Sequence, residues 1–122
     1  MKIYQNSNEP IYKQISAQLR EQILTGKLKE GECLPSIRGL AQDLKISVIT
    51  TMKAYDELAA EGLVNAVAGK GYFVNAQNSE MLREQYLRQL ENALLTAIDS
   101  ARIAGIGKDE VISILSALWT TD

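Results

Sequence analysis

Residues 36–74 restrict the possible folds strongly, because two short capped helices are followed there by a glycine-rich turn between two extended segments. Ser36 and Ser47 are the predicted helix caps, since a serine oxygen can accept a hydrogen bond from the free amides of a helix start. After each serine, apolar residues recur at helical spacing on one face. Two capped helices joined by a few residues predict a helix-turn-helix.

A hairpin is predicted directly after these helices. Leu63–Val67 and Tyr72–Val74 are short and rich in β-branched or aromatic residues, and two glycines lie between them. This pattern is typical of two antiparallel strands joined by a tight turn. A helix-turn-helix followed by a hairpin predicts a winged helix-turn-helix.

A further helix is predicted upstream, from near Pro10 to Gly26. A large aliphatic residue recurs every four positions between them, as on a helix with one buried face. Pro10 is assigned to the first helical position, Asn8 is the predicted cap and Gly26 is the C-terminal stop. This helix completes a winged head predicted over residues 9–76.

The predicted fold is mainly α with a small β-hairpin wing, and its C-terminal part, residues 78–122, is a two-helix tail. The long helix runs from about Glu80 to Ala104, with apolar residues at alternating spacings of four and three, a heptad-like seam. The second helix runs from Lys108 to Trp119. Because this tail is too short to build an independent ligand-binding core, we expect a homodimer. Its predicted interface comprises Leu90, Leu94, Ala97, Ala101, Leu115, Leu118 and Trp119.

No catalytic residue, cofactor or metal site is predicted. The chain has no histidine, which is the commonest general base and metal ligand. Cys33 therefore lacks an activating partner, the carboxylates show no convergent pair, and Gly69–Gly71 lacks the spacing of a Walker motif. These absences oppose an enzyme that binds a small molecule, which is one of two alternative functions.

A cytoplasmic location without membrane contact is expected. The first residues lack the apolar segment of a signal peptide, and no stretch reaches the roughly 18 apolar residues of a membrane span. The single cysteine, Cys33, cannot form an internal disulfide, which fits a reducing compartment.

DNA contacts are predicted at the start of the third helix, because the second helix of a helix-turn-helix enters the major groove. Ser47 and Thr50 offer hydroxyls to base edges or phosphates, and Lys53 lies near enough to reach a phosphate or a guanine. Other residues of this helix already supply its buried face. Val48 and Ile49 therefore point outward and can pack on thymine methyl groups.

Two further contacts are predicted outside this helix. Arg38, at the start of the preceding helix, can clamp the DNA backbone. The turn Gly69–Gly71 can lay its amides and the Lys70 ammonium against the minor groove or the phosphates. Taken singly, Lys53 and Lys70 would more often be solvated surface charges.

Residues 9–75 resemble the DNA-binding head of the GntR family of bacterial regulators. The matching positions occur at fixed spacing and include Pro10–Ile15, Gly26–Leu28, Leu34–Arg38, Glu61–Val64 and Gly69–Val74. The short tail and Ser47–Thr51 resemble the YtrA-like subfamily, whose members dimerise through a two-helix C-terminal region. The resemblance implies a homodimeric repressor of double-stranded operator DNA, and the subfamily's regulated genes often encode ABC transporters. It identifies neither the operator nor an effector.

The resemblance also assigns the DNA contacts by position. They fall on Arg38, Ser47, Val48, Ile49, Thr50, Met52, Lys53, Gly69 and Lys70. Many family members have arginine directly after the cap serine, where this chain has Val48. A base contact by arginine is therefore absent here, and the operators of arginine-bearing relatives do not transfer.

The other alternative is a winged module that binds protein instead of DNA. It is favoured by the net charge of −2, since nucleic-acid binders are usually basic. The acid lies mainly in the tail: residues 1–76 carry nine Lys and Arg against eight Asp and Glu, and residues 77–122 carry four against seven. Ser47, Thr50 and Lys53 on the outer side of one helix count against this alternative.

Overall fold

The computed structural model describes residues 1–120, so the last two residues of the tail predicted over 78–122 lie outside the described residues. The chain divides into one compact unit over Met1–Gln77 and a second that begins at Asn78. The first unit contains α1 (Ile11–Leu24), α2 (Ile37–Leu44), α3 (Val48–Ala60), β1 (Val64–Val67) and β2 (Gly71–Val74). The second contains α4 (Ser79–Ala104) and α5 (Lys108–Leu118). These helices with one antiparallel hairpin confirm the predicted mainly α, winged fold.

The start of α1 differs from the prediction. Pro10 is the residue at its N-cap and Ile11 is the first helical residue, so Pro10 lies one position before the place predicted for it. No side chain caps the helix, and the prediction of Asn8 as the cap is wrong. A capping side chain has to stand directly before the first helical residue to reach the next amides, and Asn8 comes too early. The segment before α1 is held instead by the buried Gln14, whose amide group donates to the carbonyls of Tyr4 and Glu9 at 2.9 Å each.

Both predicted caps of the helix-turn-helix are present. Ser36 Oγ accepts from the Gly39 amide and Ser47 Oγ from the Thr50 amide, each at 3.0 Å. Between the two helices, Lys45 ends α2 in the left-handed conformation, with a φ of 57°. This residue turns the chain so that α3 can begin shortly afterwards.

The three helices and the hairpin of the first unit share one hydrophobic core. Its buried side chains include Ile15, Leu19, Leu40, Tyr55, Leu58, Val64 and Val74. Because α3 lies between α1, α2 and β1, one of its sides is used entirely for packing. The other side is left for the surface.

A polar contact joins α1 to α3 at the edge of this core. Glu57 accepts from Lys13 Nζ at 2.5 Å and from Ser16 Oγ at 2.7 Å. The bond from Lys13, followed by that from Ser16, lowers the pKa of Glu57. Because Lys13 is exposed and Glu57 only half-buried, water screens this ion pair, and its contribution to the free energy of unfolding is small.

The wing is close to its predicted extent. β1 begins one residue later than predicted, after Leu63, and β2 begins one residue earlier, at Gly71. Gly69 has a φ of +75°, a left-handed conformation that favours glycine and allows the tight turn. The Lys70 amide closes this turn on the Val67 carbonyl at 2.9 Å.

The second unit contains two helices joined by a short turn. Asn78 caps α4 by accepting from the Met81 amide at 3.1 Å. The helix ends at Ala104 and is followed by Gly105, which has a φ of +71°. α5 ends at Leu118, so Trp119 follows the helix, whereas the prediction placed it inside. Within residues 1–120, no helix has the length and apolar character that crossing a membrane requires.

Replacing Gly39 with alanine should not bring the gain in stability that alanine usually gives in a helix. A Cβ at this position would lie 2.7 Å from Ser36 Oγ, so the cap has to shift or break. Alanine gains about 0.5–1 kcal/mol over glycine, and a lost serine cap costs about 1 kcal/mol, so the two effects nearly cancel. In a Ser36→Ala background the same replacement should stabilise the protein. Urea unfolding of the four proteins measures the difference, and an equal effect of Gly39→Ala in both backgrounds would contradict it.

Candidate nucleic-acid interface

The outer face of α3 carries apolar side chains that the core does not use. Val48, Ile49 and Met52 are 39%, 78% and 42% exposed, whereas Tyr55 and Leu58 on the opposite face are buried. The prediction that Val48 and Ile49 point outward is confirmed. Apolar side chains at the exposed start of a helix are suited to contact with the thymine methyl groups of a major groove.

The hydroxyls of Ser47 and Thr50 are paired with each other. Ser47 Oγ donates to Thr50 Oγ1 at 2.7 Å, in addition to accepting from the Thr50 amide. Ser47 has therefore committed its proton, whereas the Thr50 hydroxyl keeps its own proton for an external acceptor. Helix capping by Ser47 and a polar contact through Thr50 are compatible.

Lys53 has a neighbour that sequence reasoning missed. Its Nζ lies 4.1 Å from the ring centroid of Tyr12 on α1. Such a cation–π contact orients the ammonium and, at an exposed site, is worth about 0.5–1 kcal/mol. The ammonium can still donate to a phosphate, because it has three N–H donors and the contact with the ring does not occupy all of them. No local sequence signal could have revealed this pair, since Tyr12 and Lys53 are far apart in the sequence and meet only because α1 packs against α3.

Arg38 and Lys70 line the two walls of one open cleft of about 540 Å³. One wall is the segment 34–38 that enters α2, and the other is the wing at residues 66–72. Both cations are exposed. Within residues 1–120, neither side chain takes part in an ion pair. The cleft thus brings together two predicted phosphate-binding groups that are far apart in sequence.

At the back of this cleft, Tyr55 connects α3 to the entry of α2. It is 1% exposed, and its hydroxyl donates to the Pro35 carbonyl at 2.6 Å. Burial raises the pKa of Tyr55, so the phenol stays protonated and acts as a hydrogen-bond donor. Within the described 120 residues, no group of three or more His, Cys, Asp or Glu side chains could hold a metal ion.

The residues predicted for the dimer interface are mostly exposed in the single chain. Leu90, Leu94, Leu115, Leu118 and Trp119 are between 40% and 73% exposed, and Ala97 is exposed too. Ala101 differs: it is only 9% exposed within its own chain, beside the turn between α4 and α5. Further exposed large apolar residues of the same two helices were not included in the predicted interface, namely Met81, Tyr86, Leu87, Leu95, Ile98, Ile103, Ile112 and Ile114.

Comparison with known proteins gives matches for both the sequence and the fold. A family model described as "Bacterial regulatory proteins, gntR family" matches residues 11–74, which include α1 to α3 and the hairpin. The HTH-type transcriptional repressor YtrA of Bacillus subtilis (strain 168) is 35% identical over 100 residues, 82% of this chain and 77% of that protein.

Solved structures match in the same way. A GntR family transcriptional regulator from Listeria monocytogenes has a TM-score of 0.74 at 28% identity, covering 93% of this chain and 99% of that one. The DNA-binding domain of AraR in complex with operator ORX1 has a TM-score of 0.54 at 29% identity, covering 61% of this chain and 92% of that one.

Proposed function

The chain belongs to the gntR family of bacterial regulatory proteins and is a DNA-binding transcription regulator; we propose that it acts as a repressor, bound as a homodimer to a pseudo-palindromic operator. The observation that carries the proposal is the outer face of α3. Val48, Ile49 and Met52 are exposed there, while the opposite face of the same helix is buried in the core. Repression is supported by its similarity to a protein named a transcriptional repressor.

The proposed DNA surface has three parts. The start of α3 enters the major groove, the start of α2 contacts the backbone, and the turn of the wing contacts the minor groove or the phosphates. Its residues are Arg38, Ser47, Val48, Ile49, Thr50, Met52, Lys53, Gly69 and Lys70. Support comes from the shared cleft of Arg38 and Lys70 and from the orientation of Lys53 by Tyr12.

Homodimerisation through the tail is proposed from its exposed apolar surface. Two helices cannot cover the side chains of Leu90, Leu94 and Leu118 by themselves, and each of the three is at least 40% exposed. A self-complementary contact with a second copy would cover them. Two linked heads also raise the effective concentration at the second half-site, which compensates for the few cations on each head.

We also propose that the protein works by occupying DNA, without catalysing a reaction. Its family consists of regulatory proteins, and a repressor needs only to bind tightly and selectively. Since operator DNA is its proposed partner, the cytoplasm is the proposed location.

Arg38→Ala and Lys53→Ala should each weaken binding to a duplex recovered by selection from a random-sequence pool. Arg38→Ala should leave the melting temperature nearly unchanged, whereas Lys53→Ala should lower it by a few degrees, because it also removes the contact with Tyr12. A lost base contact costs about 1–3 kcal/mol of discrimination, whereas a lost phosphate contact weakens all sequences alike and flattens the salt slope by about one. Fluorescence anisotropy at several salt concentrations separates the two cases. Arg83→Ala, which removes an exposed arginine of α4, is the matched control. Unchanged affinity of both Arg38→Ala and Lys53→Ala would place the DNA-binding surface elsewhere.

A further inference from the structure

A hydrogen bond that belongs to none of the proposed DNA contacts joins the wing to α3. Tyr72 on β2 donates from its hydroxyl to Asp56 Oδ1 at 2.9 Å. The Tyr72 ring packs edge-on against the buried Tyr55, with 5.2 Å between the ring centroids and an interplanar angle of 82°. Tyr72 is therefore held at both its ring and its hydroxyl.

The acceptor of this bond lies on the outer face of α3. Asp56 follows Ile49, Met52 and Lys53 at positions i, i+3, i+4 and i+7, so the four residues share one side of the helix. Asp56 is exposed and does not contribute to the core. A carboxylate on a surface that binds phosphates is electrostatically unfavourable, so its presence there calls for a physical role.

The donor comes from the strand that carries the turn of the wing. β2 begins at Gly71, directly after Lys70, and Tyr72 is its second residue. Burial, followed by the bond to Asp56, raises the pKa of Tyr72, so the phenol keeps its proton at neutral pH. A hydroxyl–carboxylate bond is directional and charge-assisted, and here it joins α3 to the strand of the wing close to its turn.

We propose that the Tyr72–Asp56 hydrogen bond sets the position of the wing relative to α3, and that both are positioning residues for the contact of Lys70 with DNA. The inference rests on the proposed function, in which α3 and the wing bind one duplex together. Two elements that contact neighbouring grooves have to match the spacing of those grooves. Fixing their relative position before binding avoids an ordering cost on association.

Three single variants test the bond from both ends. Tyr72→Phe removes the hydroxyl alone, Asp56→Ala removes the acceptor, and Asp56→Asn keeps an acceptor oxygen while removing the same charge as Asp56→Ala. Tyr72→Phe should lower the affinity for the selected duplex about tenfold. Its melting temperature should fall by no more than a few degrees, because water can solvate the exposed Asp56 carboxylate when the hydroxyl is gone. Asp56→Asn should bind about tenfold more tightly than Asp56→Ala. Equal affinity of the two Asp56 variants would overturn the proposal even if Tyr72→Phe failed to fold.

Coupling to Lys70 distinguishes positioning from a general structural role. In a Lys70→Ala background the loss caused by Tyr72→Phe should shrink to less than about twofold, since the contact being positioned is already gone. Undiminished loss in that background would overturn the proposal, and so would wild-type affinity of Tyr72→Phe beside an impaired Lys70→Ala. Both results leave the proposed function standing. Failure of the wild type to bind any duplex would instead refute the proposed function, and this inference with it.

Discussion

Replacing Leu94 with aspartate should yield a folded head that sediments as a monomer and loses most of its operator affinity. Leu94 is 40% exposed and lies on the seam of α4 with Leu90, which is 54% exposed. In the proposed dimer, the new carboxylate would be buried between two copies without a partner, which costs several kcal/mol. Loss of the second head removes the gain in effective concentration, which is worth about 10²–10⁴ in affinity. Analytical ultracentrifugation and anisotropy measure the two effects.

Thr96→Asp is the matched control for the charge. It adds a carboxylate to the same helix about 160° around from Leu94, given the 3.6 residues per turn of an α-helix, and it should remain a dimer. A dimeric Leu94→Asp would place the interface elsewhere. That result would favour a tail that folds back on its own head to form an effector pocket.

Replacing Ile49 with glutamate should abolish specific binding while leaving both the fold and the dimer intact. Ile49 is 78% exposed at the start of α3, so the change disturbs no packing, and an acidic residue in the first turn of a helix is favourable for its dipole. Against DNA the carboxylate would face phosphates, a like-charge contact that costs several kcal/mol, or at least about a hundredfold in affinity. Circular dichroism and anisotropy check the two halves of this prediction.

Ile103→Glu is the corresponding control, because Ile103 is 89% exposed on α4 and outside the proposed DNA surface. It should bind the selected duplex as the wild type does. If Ile49→Glu also retained wild-type affinity, α3 could not be the recognition helix that enters the major groove.

Local patterns in the sequence were sufficient to predict the helix-turn-helix. The caps Ser36 and Ser47 act on amides three residues ahead, and the outward direction of Val48 and Ile49 follows from helical periodicity. These features depend only on neighbouring residues. The error at Asn8 arose because a residue can cap a helix only from the position directly before it, and the exact first turn is set by Pro10.

Contacts between elements could not be predicted in the same way. The Tyr72–Asp56 bond spans 16 residues and the Tyr12–Lys53 contact joins two helices, so each depends on how the elements pack. The tail shows the same limit. Its spacing indicated a seam that includes Leu94 and Ala101, yet Ala101 is only 9% exposed within its own chain. Helical periodicity does not show which residues of the same chain cover a position.

Selection from a random-sequence duplex pool with the wild-type protein tests the central claim most directly. A homodimeric reader should enrich a motif with two-fold symmetry, whose half-site centres lie about one helical turn or a multiple of it apart. The same selection with Ile49→Glu should enrich no motif. A wild-type pool that stays random at physiological salt would contradict the account and favour a winged domain that binds protein instead of DNA.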